Sequence, residues 1–363
     1  MANLKPFYIG TYTDANAPEE QRSQGIYQAK LDTNSGEIVD LRVAAWGVNA
    51  GFVVLTKERR FLYAIGSTFE QAHSQAGVVA AFAIAPDSGD LTFLNQQPTP
   101  NGSSCHINID ASNRLLVSVN YGRGSFATYP VAEDGRIEPY SENVQHSGKG
   151  VNPTRQEGPH AHQAVFSPDN RFLFVNDLGI DKIGCYAVEQ EFGHLVVEYP
   201  TWTKVHDGAG PRHLDFHPNG KYVYLINELD ATITAFGYDT EDGLLNEIQV
   251  ISTLPAGFEG EKWCADIHVH PNGRFLYGSN RGHDSIAIYE IDEQSGKLRS
   301  IGFESTLGKT PRNFAIDPSG KFLLAANQDS SSIFSFAIDA TSGLLTATGF
   351  GVTVPKPICI KFV

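Results

Sequence analysis

A repeat of roughly 40 to 50 residues runs along the whole chain and constrains its fold more than any other feature, because a fixed period of that length is typical of propellers and solenoids. Each copy is an apolar strand, a turn rich in Pro, Asp, Asn and Gly, a basic residue, and a second apolar strand that ends in a small or polar residue. Six complete copies are present: VVLTKERRFLYAIGS, INIDASNRLLVSVNY, AVFSPDNRFLFVNDL, LDFHPNGKYVYLINE, IHVHPNGRFLYGSNR and FAIDPSGKFLLAANQ.

A recurrent glycine gives a second, independent count of the repeat. In each case an apolar residue follows the glycine two positions later, usually after an acidic or hydroxyl residue. The marker occurs seven times, at Gly36, Gly89, Gly135, Gly193, Gly243, Gly296 and Gly343. Seven markers against six complete hairpins indicate that one unit is divided.

The divided unit lies at the two ends of the sequence. The segment FYIGTYT near the N-terminus resembles a second strand without its first, and PKPICIKFV resembles a first strand without its second. Pairing the two closes a ring and removes an exposed sheet edge, whereas an open β-solenoid has no need of complementary half-repeats. We therefore predict an all-β, seven-bladed β-propeller with four antiparallel strands per blade, closed by terminal strands that share one blade. Residues 1–363 are expected to form this single domain.

Charge limits the class of partner. The chain has a formal net charge of -14 and a pI near 5.3, so it repels a polyphosphate backbone, and we expect no nucleic-acid partner. A few converging arginines can still create a positive pocket for a small anion within an acidic protein. We expect a small-molecule substrate and a monomer or weak homo-oligomer.

The N-terminal sequence and the cysteines bear on location. MANLKPFYIGTYT lacks a charged region followed by an apolar one, and no apolar run is long enough to span a bilayer. The four cysteines are far apart and form no C-x-x-C pair, which favours free buried thiols. These features predict a cytoplasmic protein without a membrane segment.

The ends of the hairpins should meet at one mouth of the ring, because the second strand returns beside the start of the first. Counted from the basic residue after each turn, the position nine residues earlier is Gly51, Cys105, His162, Arg212, Ala265 or Arg312. The position seven residues later is Ser67, Tyr121, Leu178, Glu228, Arg281 or Gln328. Arg212 and Glu228 are therefore expected to be cross-strand neighbours, joined by His162, Arg281 and Arg312 from adjacent blades.

This set of side chains indicates a binding or catalytic site. An inter-strand ion pair could explain Arg212 and Glu228 alone, but not three arginines and a histidine on one rim. We expect His162, Arg212, Glu228 and Arg281 to belong to this site. Substrate contacts are assigned to five more residues at or near the mouth: His106, His160, His213, Arg312 and Tyr121.

Other histidines and a recurrent asparagine have simpler interpretations. His160 and His162 could be two metal ligands, but no carboxylate cluster accompanies them, so we predict no metal site. His283 is expected near the mouth. His217 and His270 precede proline in HPNG turns and should stabilise those turns on the opposite face. One asparagine recurs at strand ends, where it should act as a hydrogen-bonding cap: Asn120, Asn227, Asn280 and Asn327.

Four long motifs together resemble one family. They are GPHAHQAVFSPDNRFLFVNDLG, GPRHLDFHPNGKYVYLINEL, HPNGRFLYGSNRGHDSIAIY and KTPRNFAIDPSGKFLLAANQ. Their sequence is similar to that of the seven-bladed propeller lactonases, which include 6-phosphogluconolactonases and fungal 3-carboxy-cis,cis-muconate lactonizing enzymes. The likeness extends from YIGTYT to PICIKFV. It implies a catalytic site made of the His before QAVFSP (His162), the Arg of GPRH (Arg212), the Glu of NEL (Glu228) and the Arg of SNRG (Arg281), without a metal or cofactor.

The resemblance implies a lactonase that acts on an anionic sugar lactone, most simply 6-phosphogluconolactone in the pentose phosphate pathway. Glu228 or His162 would act as general base for water, and tight pairing of Glu228 with Arg212 would favour His162. Arg212 suits the developing oxyanion or an anionic substituent, and Arg281 and Arg312 would hold the phosphate or carboxylate.

Two alternatives stay open at this point. The same residues could close a ring from a muconate carboxylate, in which case His162 or Glu228 would deliver a proton to carbon. A propeller without chemistry could instead bind proteins, but that use predicts exposed aromatic anchors on a rim, whereas the charged mouth favours a small polar ligand.

Overall fold

Seven four-stranded antiparallel sheets form the protein, as the repeat predicts. The computed structural model describes residues 3–69, 77–189 and 194–363. Within these residues no helix is long and apolar enough to cross a membrane. The marker Gly193 lies outside the described residues.

The blades follow one another along the chain, and the strands of each blade are given from the innermost to the outermost. The second to fourth strands of blade 1 are β1 (Leu4–Thr11), β2 (Gly25–Asp32) and β3 (Ile38–Trp46). Blade 2 is β4 (Val53–Leu55), β5 (Phe61–Gly66), β6 (Val78–Ile84) and β7 (Leu91–Pro98). Blade 3 is β8 (His106–Ile109), β9 (Leu115–Asn120), β10 (Ser125–Pro130) and β11 (Glu142–Gln145). Blade 4 is β12 (Ala161–Phe166), β13 (Phe172–Asp177), β14 (Lys182–Glu189) and β15 (His194–Lys204).

The remaining blades repeat this order. Blade 5 is β16 (Pro211–Phe216), β17 (Tyr222–Asn227), β18 (Thr232–Tyr238) and β19 (Leu245–Ser252). Blade 6 is β20 (Trp263–Val269), β21 (Phe275–Arg281), β22 (Ser285–Ile291) and β23 (Leu298–Ser305). Blade 7 is β24 (Pro311–Ile316), β25 (Phe322–Asn327), β26 (Ser332–Ile338) and β27 (Leu345–Thr353). Blade 1 is completed by β28 (Pro357–Phe362), and a short 3-10 helix spans Glu19–Gln21.

The ring closes as predicted. Strand β28 is the innermost strand of blade 1 and pairs antiparallel with β1, with Phe7 opposite Phe362 and Ile9 opposite Ile360. The two half-repeats thus form one sheet, and each of these two strands covers the edge of the other.

Burial follows position within a blade. The second strand of a blade is an almost continuous apolar run, such as YVYLIN in β17, because both of its faces pack against neighbouring blades. The outermost strand is more polar and more exposed, as in LNEIQVIS of β19. The apolar cores therefore lie between blades, and the channel at the centre is left to the inner strands.

The marker glycine serves the packing of one blade on the next. All six marker glycines in the described residues have φ between 70° and 84°, a region that L side chains rarely adopt. A Cβ at Gly343 would also lie 2.4 Å from the ring of Phe275 in the adjacent blade, and one at Gly135 would lie equally close to Phe61. The marker is thus both a turn residue and a contact surface.

A tyrosine hydroxyl links several blades at the same turns. Tyr277 Oη donates a 2.8 Å hydrogen bond to the carbonyl oxygen of Gly343, and the pattern recurs in three other pairs. These are Tyr8 with Gly89, Tyr63 with Gly135 and Tyr224 with Gly296. Each bond crosses a blade boundary and satisfies a carbonyl that the glycine turn leaves unpaired.

Removal of one such hydroxyl should measure the strength of a blade boundary. Tyr277→Phe keeps the buried ring and leaves the Gly343 carbonyl without its donor, which typically costs about 1 to 3 kcal/mol of unfolding free energy. Urea unfolding would measure the loss. Tyr140→Phe, on a tyrosine that is 48% exposed, is the matched control and should change the value by less than about 0.5 kcal/mol. Equal effects of the two changes would contradict this role.

The predictions for the turn histidines and strand-end asparagines are confirmed. Nδ1 of His217 accepts from the backbone N–H of Asn219, and its Nε2 donates to the carbonyl of Gly273 in the next blade. His270 makes the same pair of bonds with Asn272 and Gly320. The four asparagines all donate from Nδ2, three of them to backbone carbonyls and one to two threonine hydroxyls: Asn120, Asn280, Asn327 and Asn227.

The four cysteines are free, as predicted. Cys185, Cys264 and Cys359 are buried, whereas Cys105 is partly exposed at the mouth of the channel.

Candidate active site

The mouth of the channel is built from the starts of the inner strands, where the ladder is interrupted. In β12 the pairing skips from Ala161 to Gln163, and His162 is the residue left out. The same irregularity leaves out Arg212 in β16 and Arg312 in β24. Such bulges re-aim a side chain, and here they lie at three of the mouth positions that the repeat identified.

Glu228 is the centre of the site. Its Oε2 lies 3.0 Å from Nε of Arg212, 2.9 Å from Nη2 of Arg281 and 3.9 Å from Nε2 of His162. Its Oε1 receives a 2.6 Å hydrogen bond from Nη2 of Arg155. The structure thus brings together all four residues expected to be catalytic. The predicted proximity of Arg212 and Glu228 is confirmed.

Arg155 was missed by the repeat analysis. It lies in the segment between β11 and β12, outside every repeated hairpin, and reaches across the mouth to Glu228. Its Cζ also lies 5.4 Å from the ring centroid of Trp263. The only sequence signal was a basic residue in a loop that must end at the mouth, just before GPHAHQ.

The arginines keep Glu228 ionised. Burial alone would raise the pKa of the Glu228 carboxyl, but the charges of Arg281 and Arg212 and the hydrogen bond from Arg155 lower it to about 2. Burial and the charge of Arg281 lower the pKa of Arg212 to about 10, which still leaves it protonated at neutral pH. Glu228 is therefore a poor base and a strong anchor for guanidinium groups.

His162 is neutral and only partly engaged. Burial, followed by the charge of Arg212, holds the pKa of His162 well below its ordinary value of 6.5. Its Nδ1 is buried and has no hydrogen-bond partner within the described part of the chain. The other ring nitrogen, Nε2, is the one that lies 3.9 Å from Glu228. Buried polar atoms normally have partners, so the unpaired Nδ1 indicates a position that a substrate or water fills.

A chain of buried side chains holds Arg212. Its Nη1 donates to the carbonyl of Ala265 at 2.6 Å and to Nε2 of His213 at 3.2 Å. His213 therefore donates from Nδ1 to Oδ1 of Asp266, at 2.8 Å. Burial and the charge of Arg212 lower the pKa of His213 to about 4. Both ring nitrogens of His213 are occupied, so it positions Arg212 and has no nitrogen left for the substrate contact we expected.

Asp266 was not singled out from the sequence. Its Oδ2 lies 3.0 Å from Nε2 of His268 and 2.5 Å from Nδ2 of Asn313. Burial opposes the charged form of His268, but Asp266 and Asp215 together raise the pKa of His268 to about 9. A carboxylate and an imidazolium thus lie below the mouth layer and fix the orientation of the residues above them.

Tyr121 and His160 form a stacked pair at the rim. Their ring centroids are 4.5 Å apart with planes at 17°, and Nδ1 of His160 lies 3.0 Å from the carbonyl oxygen of Tyr121. The rings of Tyr121 and His162 are steeply inclined to each other, at 76°, with centroids 5.5 Å apart. His160 supports Tyr121 from outside the cluster. Within residues 3–69, 77–189 and 194–363, no three His, Cys, Asp or Glu side chains are placed to hold a metal ion.

The remaining predicted residues lie at different depths. His106 lies one layer below the mouth, 4.5 Å from the ring of Phe52, and its buried Nδ1 has no partner in the described residues. Arg312 lies at the mouth over Tyr12, at 5.6 Å. His283, expected near the mouth, follows Arg281 by two residues and packs against Phe258, with ring centroids 4.8 Å apart.

The sequence matches one family model over residues 6–362, which describes a seven-bladed β-propeller lactonase. The chain is 38% identical over 355 residues to a 6-phosphogluconolactonase of Bacillus subtilis, with 98% of this chain and 97% of that protein covered. It is 35% identical over 295 residues to a 6-phosphogluconolactonase of an Enterobacter species, covering 81% and 82%. The solved structure of a periplasmic gluconolactonase of Pseudomonas aeruginosa is also similar, with a TM-score of 0.89, 31% identity and 99% coverage of both chains.

Proposed function

The chain belongs to the family of seven-bladed β-propeller lactonases, and we propose that its channel-mouth site hydrolyses 6-phosphogluconolactone to 6-phosphogluconate by general acid–base catalysis without a metal ion. The observation that carries the proposal is a cluster of arginine side chains around Glu228, beside a histidine whose pKa burial holds well below 6.5. Such a cluster suits an ester substrate that carries a phosphate group.

The charge balance of the mouth favours an anionic substrate. Arg155, Arg212, Arg281 and Arg312 surround the single carboxylate of Glu228, so the four guanidinium groups and one carboxylate leave three positive charges in excess. The whole protein has a formal net charge of -14. A concentrated positive field inside an acidic protein attracts a small anion and repels a large polyanion.

We assign the general base to His162. The low pKa of Glu228 leaves that carboxylate with little affinity for a proton, whereas neutral His162 has an unpaired ring nitrogen at the mouth. His162 would take a proton from water as it attacks the lactone carbonyl carbon. The proton can then pass to the ring oxygen as the C–O bond breaks, so the base returns to its starting form.

Arg212 and Arg281 are assigned to the developing oxyanion. Both approach the same oxygen of Glu228, which fixes their guanidinium planes before substrate binds. Nη2 of Arg212 has no hydrogen bond to the described residues, so it can donate to the carbonyl oxygen as negative charge grows there. Glu228 contributes by orienting these donors, because they then need no reorganisation during the reaction.

The pH profile should reveal the base. Since His162 must be unprotonated and its pKa lies well below 6.5, kcat/KM should be constant within about twofold between roughly pH 6 and 7.5 and fall only at lower pH. Arg212→Met removes a charge that opposes protonation of His162, so the acid limb should move to higher pH. A wild-type inflection near pH 6.5, or no movement in the variant, would contradict the assignment.

A substrate panel tests the function itself. Acid release would be followed with 6-phosphogluconolactone, glucono-1,5-lactone and a muconolactone, each corrected for spontaneous opening. We expect the highest kcat/KM with 6-phosphogluconolactone. Preferential turnover of the muconolactone, in the hydrolytic or the ring-closing direction, would favour the muconate-cyclising alternative, and no turnover of any lactone would favour a binding protein.

We further propose a cytoplasmic location. All four cysteines are thiols, which is usual in a reducing compartment, and a phosphorylated sugar lactone arises from metabolism inside the cell. Cell fractionation with a periplasmic marker enzyme would test this, and recovery of the protein with that marker would contradict it.

A further inference from the structure

Arg155 differs from the other arginines of the site in its exposure. Its side chain is 29% exposed, whereas those of Arg212 and Arg281 are 2% and 9% exposed. It also comes from a loop and not from a repeated hairpin. Of these three guanidinium groups, that of Arg155 is the first that a ligand entering from solvent meets.

The orientation of Arg155 is fixed before any ligand binds. Its Nη2 donates to Glu228 at 2.6 Å and to the hydroxyl of Tyr121 at 3.2 Å, and its guanidinium lies over Trp263. The loop that carries it is anchored by fully buried Gln156, whose Nε2 donates to the carbonyl of Leu178 and the carboxylate of Asp181. A guanidinium held in this way loses little conformational entropy when it binds an anion.

Arg155 also keeps free donors. In the described residues its Nε and Nη1 make no hydrogen bond, since both of its side-chain bonds use Nη2. Tyr121 accepts from Arg155, so the hydroxyl hydrogen of Tyr121 remains available to a ligand. Two donors of Arg281, Nε and Nη2, are by contrast engaged with the carbonyl of Cys264 and with Glu228, and only its Nη1 has no hydrogen bond to the described residues.

From this geometry we propose that Arg155, together with the hydroxyl of Tyr121, binds the phosphate group of the substrate and thereby selects phosphorylated sugar lactones over unphosphorylated ones. The inference rests on the proposed function. It divides the proposed site into two parts. His162, Arg212 and Arg281 act at the ester group, and Arg155 and Tyr121 hold the phosphate at the solvent side of the mouth.

The first test compares two substrates with one variant. For Arg155→Ala, the ratio of kcat/KM for 6-phosphogluconolactone to that for glucono-1,5-lactone should fall about 10- to 100-fold, mainly through KM for the phosphorylated lactone, because charge-assisted hydrogen bonds are lost. Arg123→Ala is the matched control, since Arg123 is an exposed arginine two residues after Tyr121 and should leave the ratio unchanged. An equal loss for both substrates would show that Arg155 only supports Glu228, and would overturn the proposal.

The second test does not depend on turnover. Isothermal titration with inorganic phosphate should give a measurable Kd for the wild type and for Arg123→Ala, and one at least about 10-fold weaker for Arg155→Ala. If the wild type hydrolysed neither lactone, the proposed function would fail, and phosphate binding would still decide the role of Arg155. Equal phosphate affinity in wild type and Arg155→Ala would overturn the phosphate site even if hydrolysis were observed.

Discussion

Replacement of His162 by alanine is expected to lower kcat for lactone hydrolysis by about 10²- to 10⁴-fold, the usual contribution of a positioned general base. The imidazole is neutral at physiological pH, lies 3.9 Å from Glu228 and has an unpaired Nδ1, so its removal leaves the water without a proton acceptor. KM should change much less than kcat, because the arginines that attract the substrate remain. Steady-state kinetics with 6-phosphogluconolactone would measure both parameters.

Two controls make this result specific. His206→Ala removes a partly exposed imidazole that pairs with Asp230 and is not among the side chains that pair with Glu228, and it should keep full activity. Imidazole added to His162→Ala should restore part of kcat, because the deleted ring opened onto the channel mouth. Full activity of His162→Ala, in a variant with an unchanged melting temperature, would show that another group is the base.

Arg212→Met should lower kcat by about 10²- to 10³-fold, since an oxyanion donor is typically worth that much. Methionine retains an apolar stem of similar length and lacks every donor of the guanidinium. Glu228 would keep its ion pairs with Arg281 and Arg155, at 2.9 and 2.6 Å, so the fold is expected to survive. Thermal unfolding together with steady-state kinetics would separate the two effects.

The support for Arg212 can be tested through its neighbour. His213→Gln can still accept from Arg212 and donate to Asp266, and it should retain most of the activity. His213→Leu removes both bonds, and kcat should fall about 10-fold or more as the guanidinium loses its fixed orientation. If the two His213 variants behaved alike, the positioning role would be wrong. An Arg212→Met enzyme with wild-type kcat would exclude Arg212 from the reacting centre.

Much of the fold could be predicted because its determinants are local and recur. The marker glycine has positive φ in all six described cases and a side chain of the adjacent blade lies against it, an aromatic ring in five of them and Gln28 at Gly89, so glycine is the residue that fits. The complementary half-repeats specified ring closure in the same way. The blade-crossing bonds from Tyr277 and His217 were not foreseen in full, because a contact between blades depends on how two sheets pack and not on the sequence of either one.

The site was predicted where it follows the repeat and missed where it does not. His162, Arg212, Glu228 and Arg281 lie at fixed distances from the turns, so aligning the hairpins was enough to bring them together. Arg155 lies in a loop with no counterpart in the other blades, and no alignment of repeats could place it. Asp266 directly follows Ala265, which is the mouth position of its repeat. Aligning the repeats at the mouth position alone therefore does not single out Asp266.

Two of the bulges also have a signal in the sequence. Pro211 and Pro311 directly precede Arg212 and Arg312, and proline has no N–H to donate to a ladder. A proline at the start of an inner strand therefore predicts a break in pairing there. The residue that follows it is the one turned toward the channel.

These bulges allow the ligand preference of the channel mouth to change by mutation. A side chain at a bulge lies opposite no residue of the neighbouring strand, so its exchange by mutation leaves the paired positions on either side in register. New specificities can then evolve through single substitutions around the rim. A scaffold of this kind gives one lineage room to diversify among related metabolites while each descendant keeps the same architecture.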